Sequence, residues 1–295
     1  LIACNAIWAT NPLMGKVLMQ THPALQVSWL RYGSALVSVL VLLCFFRRSP
    51  ELSSRSSVKE NFPWIFAMGI ITFFGSAVLQ YKGLSLSTST ANAIIVALEP
   101  LFAVLLAWAF LGEHLRWRQT IAFGLAILGF GLLSNLHPGD LVASLSLFSV
   151  GNLLLLCTMP MEAMYSIVSR KLVGRVTPLS LFAFGLASGF TVLTLYVHFS
   201  GVGFPFATPL NDVAWAAILW LGPLGTTTTY VFWTKALQDA PVAAVSLTLF
   251  VQPILGAVMG AIFLGERLGF WQAMGAALIL AGLVLQTLQT LRKPR

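Results

Sequence analysis

Leu98-Glu99-Pro100-Leu101, followed by Leu111-Gly112-Glu113 and Leu115, returns 153 residues further on as Val251-Gln252-Pro253-Ile254, followed by Leu264-Gly265-Glu266 and Leu268. In each copy a proline interrupts an apolar stretch, and a Gly-Glu turn closes that stretch twelve residues after the proline. Self-similarity at a fixed spacing marks a duplicated unit, so the chain divides into a first repeat, 1–139, and a second, 140–295. Each copy holds five apolar segments of membrane length, and an odd number of crossings turns the second copy upside down. The expected fold is all-α: a polytopic membrane protein of ten transmembrane helices, arranged as two inverted five-helix repeats. Many secondary transporters are built this way.

Composition carries the same message. Hydrophobic residues fill 58% of the 295 positions, charged residues only 9%, and mean hydropathy is +0.87, more than the surface of a soluble domain of this size tolerates. Segments long enough to cross a hydrocarbon core of ~30 Å fall at 1–19, 24–46, 62–83, 89–111, 117–136, 147–169, 178–199, 212–234, 241–263 and 270–290. Glycines and prolines inside them are compatible with helices in a bundle. The longest loop is expected at about 47–61, too short for a soluble domain. The first apolar run is too long for a signal-peptide core and lacks a small-residue cleavage site, so no cleavable leader is expected.

The net charge of +8 is dispersed over short loops, which points to orientation in a membrane and away from nucleic acid. Ten helices put both termini on one side. That side collects Arg47, Arg48, Arg55, Lys59, Arg116, Arg118, Arg170, Lys171, Arg175, Lys235, Arg292, Lys293 and Arg295, against Lys16, Lys82 and Arg267 on the other. By the positive-inside rule the basic side is cytoplasmic. Trp64, Trp117, Trp215 and Trp271 read as interfacial anchors. Cys4, Cys44 and Cys157 sit at unrelated spacings inside apolar segments and read as packing residues. The four histidines lack metal-site spacing.

Trp8-Ala9-Thr10-Asn11-Pro12 with Lys16, then Pro23 with Trp29-Leu30-Arg31-Tyr32, then Glu99-Pro100-Leu101 through Glu113, resembles the EamA branch of the drug/metabolite transporter superfamily. Ala163, Tyr165, Arg170 and Lys171, Gly222 to Trp233, and Pro253 to Leu268 continue the resemblance through the second half. It implies a central cavity lined by helices from both halves and transport by alternating access. Glu162, beside Met159-Pro160-Met161, departs from the apolar or aromatic residue expected there.

Charged and aromatic residues inside the apolar segments are the candidate substrate contacts. Glu99 is expected near the middle of the fourth helix, too deep to reach water, so it needs a partner, a cavity or a proton. Permanent pairing with Arg31 is the structural alternative, and Arg31 is equally suited to a substrate carboxylate. Glu162, with Tyr165 one turn along, is either a second cation or proton site or the partner of a basic residue at the cytoplasmic helix ends. Thr226 to Thr229 encircle the eighth helix, serving helix packing or a polar cavity wall, with Thr229, Tyr230 and Trp233 as the cavity candidates. Trp8 and Asn11 form a similar aromatic and amide pair on the first helix. Pro100 and Pro253 interrupt the fourth and ninth helices, the expected gates. Glu113 and Glu266, each shortly before an arginine, read as turn-stabilising residues.

The expected activity is secondary active transport, in the outward direction, of small metabolites such as amino acids or amphipathic amines across the bacterial inner membrane. A passive facilitator or channel is the alternative. A membrane-embedded enzyme is more distant, because no nucleophile with its base appears. Expected partners are a small-molecule substrate, the lipid bilayer and protons, with no cofactor, metal or nucleic acid.

Overall fold

A computed structural model describes residues 1–45, 55–87, 95–114, 116–133, 149–205, 209–255, 258 and 269–291. Among them lie ten helical rods: α1 (Ile2–Met19), α2 (Ala24–Phe45), α3 (55–85), α4 (Glu99–Leu111), α5 (Trp117–Leu133), α6 (Val150–Lys171), α7 (Pro178–Phe199), α8 (212–239), α9 (Val242–Leu255) and α10 (Phe270–Leu291). No described residue is in a strand. Four helices, Ala24–Phe45, Ser57–Ser85, Val150–Lys171 and Pro178–Phe199, are long and apolar enough to cross a membrane unaided. The second Gly-Glu turn with Arg267, the basic residues Arg47, Arg48, Arg292, Lys293 and Arg295, and the expected boundary at 139–140 lie outside the described residues.

Local chemistry sets several helix ends. Ser149 accepts a hydrogen bond from the Asn152 N–H and starts α6, Asn211 does the same for α8 through the Ala214 N–H at 2.8 Å, and Pro178 opens α7 in its first turn, where a missing N–H costs nothing. Gly112, at φ 65°, closes α4 in the left-handed conformation that only glycine adopts without strain. Two boundaries differ from expectation. Helix α3 begins at Arg55, inside the stretch expected to be a loop. More important, α4 begins at Glu99, with Leu98 as its cap and Ala97-Leu98 in a turn, so Glu99 sits in a first turn and not at the centre of a continuous helix. Pro100 favours this, because proline disfavours helix at the residue before it and is preorganised for a helix start.

Helices α3 and α8 share an irregularity. Each contains a π turn, Ile70–Ser76 in α3 and Trp220–Thr228 in α8, flanked by α-helix on both sides. In α8 the hydroxyls of Thr226 and Thr228 donate to the carbonyls five residues back, Leu221 at 2.8 Å and Pro223 at 3.0 Å, which the wider π winding brings within reach.

Small residues let these helices touch. A methyl group on Gly69 of α3 would run into the Gly185 carbonyl of α7, and one on Gly189 into the Gly69 carbonyl. Gly222 of α8 meets the α2 backbone at Arg31 and Ala35 in the same manner. Two pairs run antiparallel. In α2 and α7, Trp29 Nε1 donates to Thr194 Oγ1 at 3.1 Å while Gly33 faces Phe190. In α5 and α10, Gly129 faces Gly275 and Ile279, and Gly282 faces Ala122.

One end of the bundle is basic. The end of α6 carries Arg170 and Lys171, with Lys171 3.4 Å above the Trp64 ring of α3 and Ser57 donating to the Arg175 carbonyl. Lys235 lies exposed near the end of α8. At the other end the last turn of α3 packs on the start of α6, through Gly83 and Gly151, and Lys16 donates to the Ser87 carbonyl at 3.4 Å. Lys82 and Lys235 are therefore at opposite ends. Trp64, Trp117, Trp215 and Trp271 are all exposed; the last three lie in the first turns of their helices, whereas Trp64 is the tenth residue of α3. Of the cysteines only Cys4 is buried; Cys44 and Cys157 face outward, where a bundle in lipid accepts an apolar thiol as readily as its core does.

Candidate substrate-binding site

A cavity of about 100 Å³ lies in the middle of the bundle, between α1, α2, α3, α4, α6, α8 and α9. That is several times the space one water requires. Eight of the candidates chosen from the sequence line it: Trp8, Asn11, Arg31, Glu99, Glu162, Tyr165, Tyr230 and Trp233. Thr229 does not. Its hydroxyl donates back to the carbonyls of Gly225 at 2.9 Å and Thr226 at 3.2 Å.

The other threonines are also spent on structure. Thr227 donates to the Ala35 carbonyl of α2 at 3.0 Å, and Thr226 Oγ1 accepts from Arg31 Nε at 3.0 Å. Arg31 is only 6% exposed and lies 5.1 Å from the centre of the Tyr32 ring. Its one hydrogen bond among the described residues is that from Nε, which leaves the outer guanidinium nitrogens for the cavity.

The two carboxylates differ. Glu162 is held at both oxygens, Oε1 accepting from Ser76 Oγ and Oε2 from Tyr230 OH at 2.7 Å. Ser76 ends the π turn of α3 and Tyr230 follows that of α8, so one carboxylate of α6 ties the two irregular helices together. Of the two readings of Glu162, pairing with a basic residue is not seen among the described residues; Tyr165, one turn along, bonds Thr234 Oγ1 through its OH at 2.7 Å. Glu99 makes no hydrogen bond or ion pair among the described residues. The Glu99–Arg31 pair is absent too: the ion pair found among the described residues is Glu113–Arg170.

Aromatic rings form much of the wall. Trp8 packs 5.6 Å from Tyr230 and 5.1 Å from Trp233, and Tyr230 lies edge-on to Tyr165 at 4.7 Å. Trp8 Nε1, at 3.0 Å, and Asn11 Nδ2, at 3.3 Å, both donate to the Gly225 carbonyl, which the π turn of α8 presents to α1. A side chain on Gly225 would overlap Asn11.

Sequence reasoning missed several lining residues. Gln252 stands where the second repeat has its counterpart of Glu99, and both line the cavity. Gln252 Nε2 donates to Asn5 Oδ1 at 3.1 Å, joining α9 to α1. The quoted repeat itself was the signal for it. Gln80, Tyr81, Met159 and Ser166 also line the space, and Ser166 Oγ accepts from Trp233 Nε1 at 2.8 Å; nothing in their spacing marked them. Pro100 sits at the start of α4 beneath Glu99, and Pro253 lies in the last turns of α9, next to Gln252.

The EamA-like transporter family matches residues 1–135 and 149–288. This chain belongs to that family. It is therefore a membrane transporter of the drug/metabolite superfamily, handling small molecules. An uncharacterized transporter of Bacillus subtilis, YyaM, is 24% identical over 92% of this chain and 87% of its own length. A probable terminal-alkyne amino-acid exporter of Streptantibioticus cattleyicolor is 25% identical over 99% of this chain and 96% of its own. The fold is shared with a solved crystal structure at a TM-score of 0.73, with 21% identity, 99% of this chain and 98% of the other being covered.

Proposed function

We propose that this member of the EamA-like family is a secondary transporter that exports small nitrogen-bearing metabolites, amino acids or amphipathic amines, by alternating access across the bacterial inner membrane. The observation that carries the proposal is the placement of Arg31, Glu99 and Glu162, with five aromatic rings, on one cavity lined by helices of both halves. Charged groups inside a bilayer are costly and are retained where a substrate or ion uses them. Carboxylates and ring faces suit an ammonium group, and the guanidinium suits a carboxylate. One relative is named a probable terminal-alkyne amino-acid exporter, a name of the same substrate chemistry.

Alternating access rests on two inverted repeats, 1–139 and 140–295. Three observations support them. Helices at equivalent places in the two halves, α2 with α7 and α5 with α10, pack antiparallel. The π turns recur in α3 and α8, the third helix of each half. The family matches two stretches of similar length, one in each half. In this scheme α4 and α9 are the gates, Glu99 exchanges its proton with substrate, and the basic end with both termini faces the cytoplasm.

Counterflow in proteoliposomes tests the proposal, after a thermal-shift screen of the purified protein with amino acids, polyamines and hydrophobic amines. A stabilising compound should also accelerate uptake of its own label when preloaded on the far side. Flux that neither saturates nor shows counterflow would favour a passive pore.

A further inference from the structure

Below the cavity, towards the basic end, α6 and α8 run parallel and are joined rung by rung: Glu162 to Tyr230, Tyr165 to Thr234, Ser166 to Trp233, then Arg170 Nη1 to the Leu237 carbonyl at 2.9 Å and that of Gln238 at 3.3 Å. Arg170 lies one helical turn below Ser166, on the side away from the cavity. There it meets a residue of the other half. Glu113, in the turn after α4, places Oε1 3.4 Å from Arg170 Nε, while its Oε2 accepts from the Val242 N–H at 3.0 Å, the first residue of α9. Two side chains thus bind the ends of α4, α6 and α8 and the start of α9.

We propose that Glu113 and Arg170 form a latch that holds the basic end of the transport pathway shut in this conformation. Three features separate a latch from an ordinary surface ion pair. It is partly shielded, the side chains being 20% and 30% exposed. Each partner also satisfies the backbone of a third helix, so neither is free to wander. And it spans the two halves at the ends of α4 and α9 opposite those that carry Pro100 and Pro253 and line the cavity with Glu99 and Gln252. Opening this end requires those helix ends to part, which breaks both of Glu113's contacts together. The inference rests on the alternating-access reading, but its test does not depend on observing transport.

The experiment uses the full chain in membrane vesicles, with Cys4, Cys44 and Cys157 replaced by serine and one cysteine introduced at Ser166 on the cavity floor. A membrane-impermeant maleimide is offered from each side. In this parent, labelling from the basic end should be slow. Glu113→Ala and Arg170→Met should each accelerate it roughly tenfold, the size expected for a lost helix-end bond of this kind. The double variant should exceed neither single by much, because one latch has been removed once. Labelling rates equal to the parent in both singles would overturn the latch, and so would effects that multiply in the double variant. If Glu113→Ala does not fold, Arg170→Met alone decides by the same comparison. A failure confined to the latch gives parental labelling while the unsubstituted protein still shows counterflow; a failure of the transport reading removes counterflow from the unsubstituted protein itself.

Discussion

Glu162 accepts hydrogen bonds from Ser76 and Tyr230, whereas Glu99, lining the same cavity, has no bonding partner among the described residues. The two should therefore respond oppositely to substitution. Glu162→Ala strands two donors against the core, a change of about 1–3 kcal/mol, and should lower the melting temperature of purified protein by several degrees. Glu99→Gln should leave melting near wild type and abolish flux driven by a pH gradient. Unaltered pH-driven flux in Glu99→Gln would remove that residue from the coupling mechanism; equal melting for Glu162→Ala and wild type would show the Ser76 and Tyr230 bonds to be dispensable. Tyr230→Phe supplies the control, since it removes one of Glu162's donors while keeping the ring that packs on Trp8 and Tyr165.

At the scale of elements, backbone contact between helices sets the tolerances. In a bilayer lipid is as apolar as leucine, so helices associate through close packing and hydrogen bonds more than through burial of oil. Gly189 of α7 and Gly69 of α3 meet backbone to backbone. Gly189→Ala should cost about 1–3 kcal/mol, as overpacking does, read as a loss of detergent-resistant fold. Gly124→Ala in α5, where a methyl meets open space, should cost nothing measurable. The reverse order would refute the α3–α7 contact.

Across the whole molecule, antiparallel pairing of α5 with α10 is the feature that distinguishes inverted from parallel halves. Cysteine pairs at Ala122 with Gly282, and at Gly129 with Ile279, should cross-link readily in membranes. Efficient cross-linking of Ala122 with Gly275 instead would mean that the two helices run in the same direction. Orientation is tested separately: a reporter fused after the last residue should read cytoplasmic, and a periplasmic signal would reverse which end the Glu113–Arg170 latch closes.

The sequence by itself determined that the chain is helical and membrane-bound and roughly where its helices run, and it wrote one proline-centred phrase twice. These properties are one-dimensional: hydrophobic length, punctuation by glycine and proline, and recurrence of Glu99-Pro100 as Gln252-Pro253. It also supplied most of the cavity lining, because a charge inside an apolar segment is conspicuous wherever it later points. Partners were not legible. Arg31, one candidate partner for Glu99, bonds a threonine of α8; Glu162, read either as a cation or proton site or as the partner of a basic residue, holds two hydroxyls; Glu113 precedes Arg116 but pairs with Arg170, on another helix. Each of those choices depends on how helices are rotated and stacked, and packing at glycine contacts and two π turns sets that rotation. No spacing along a single helix encodes it.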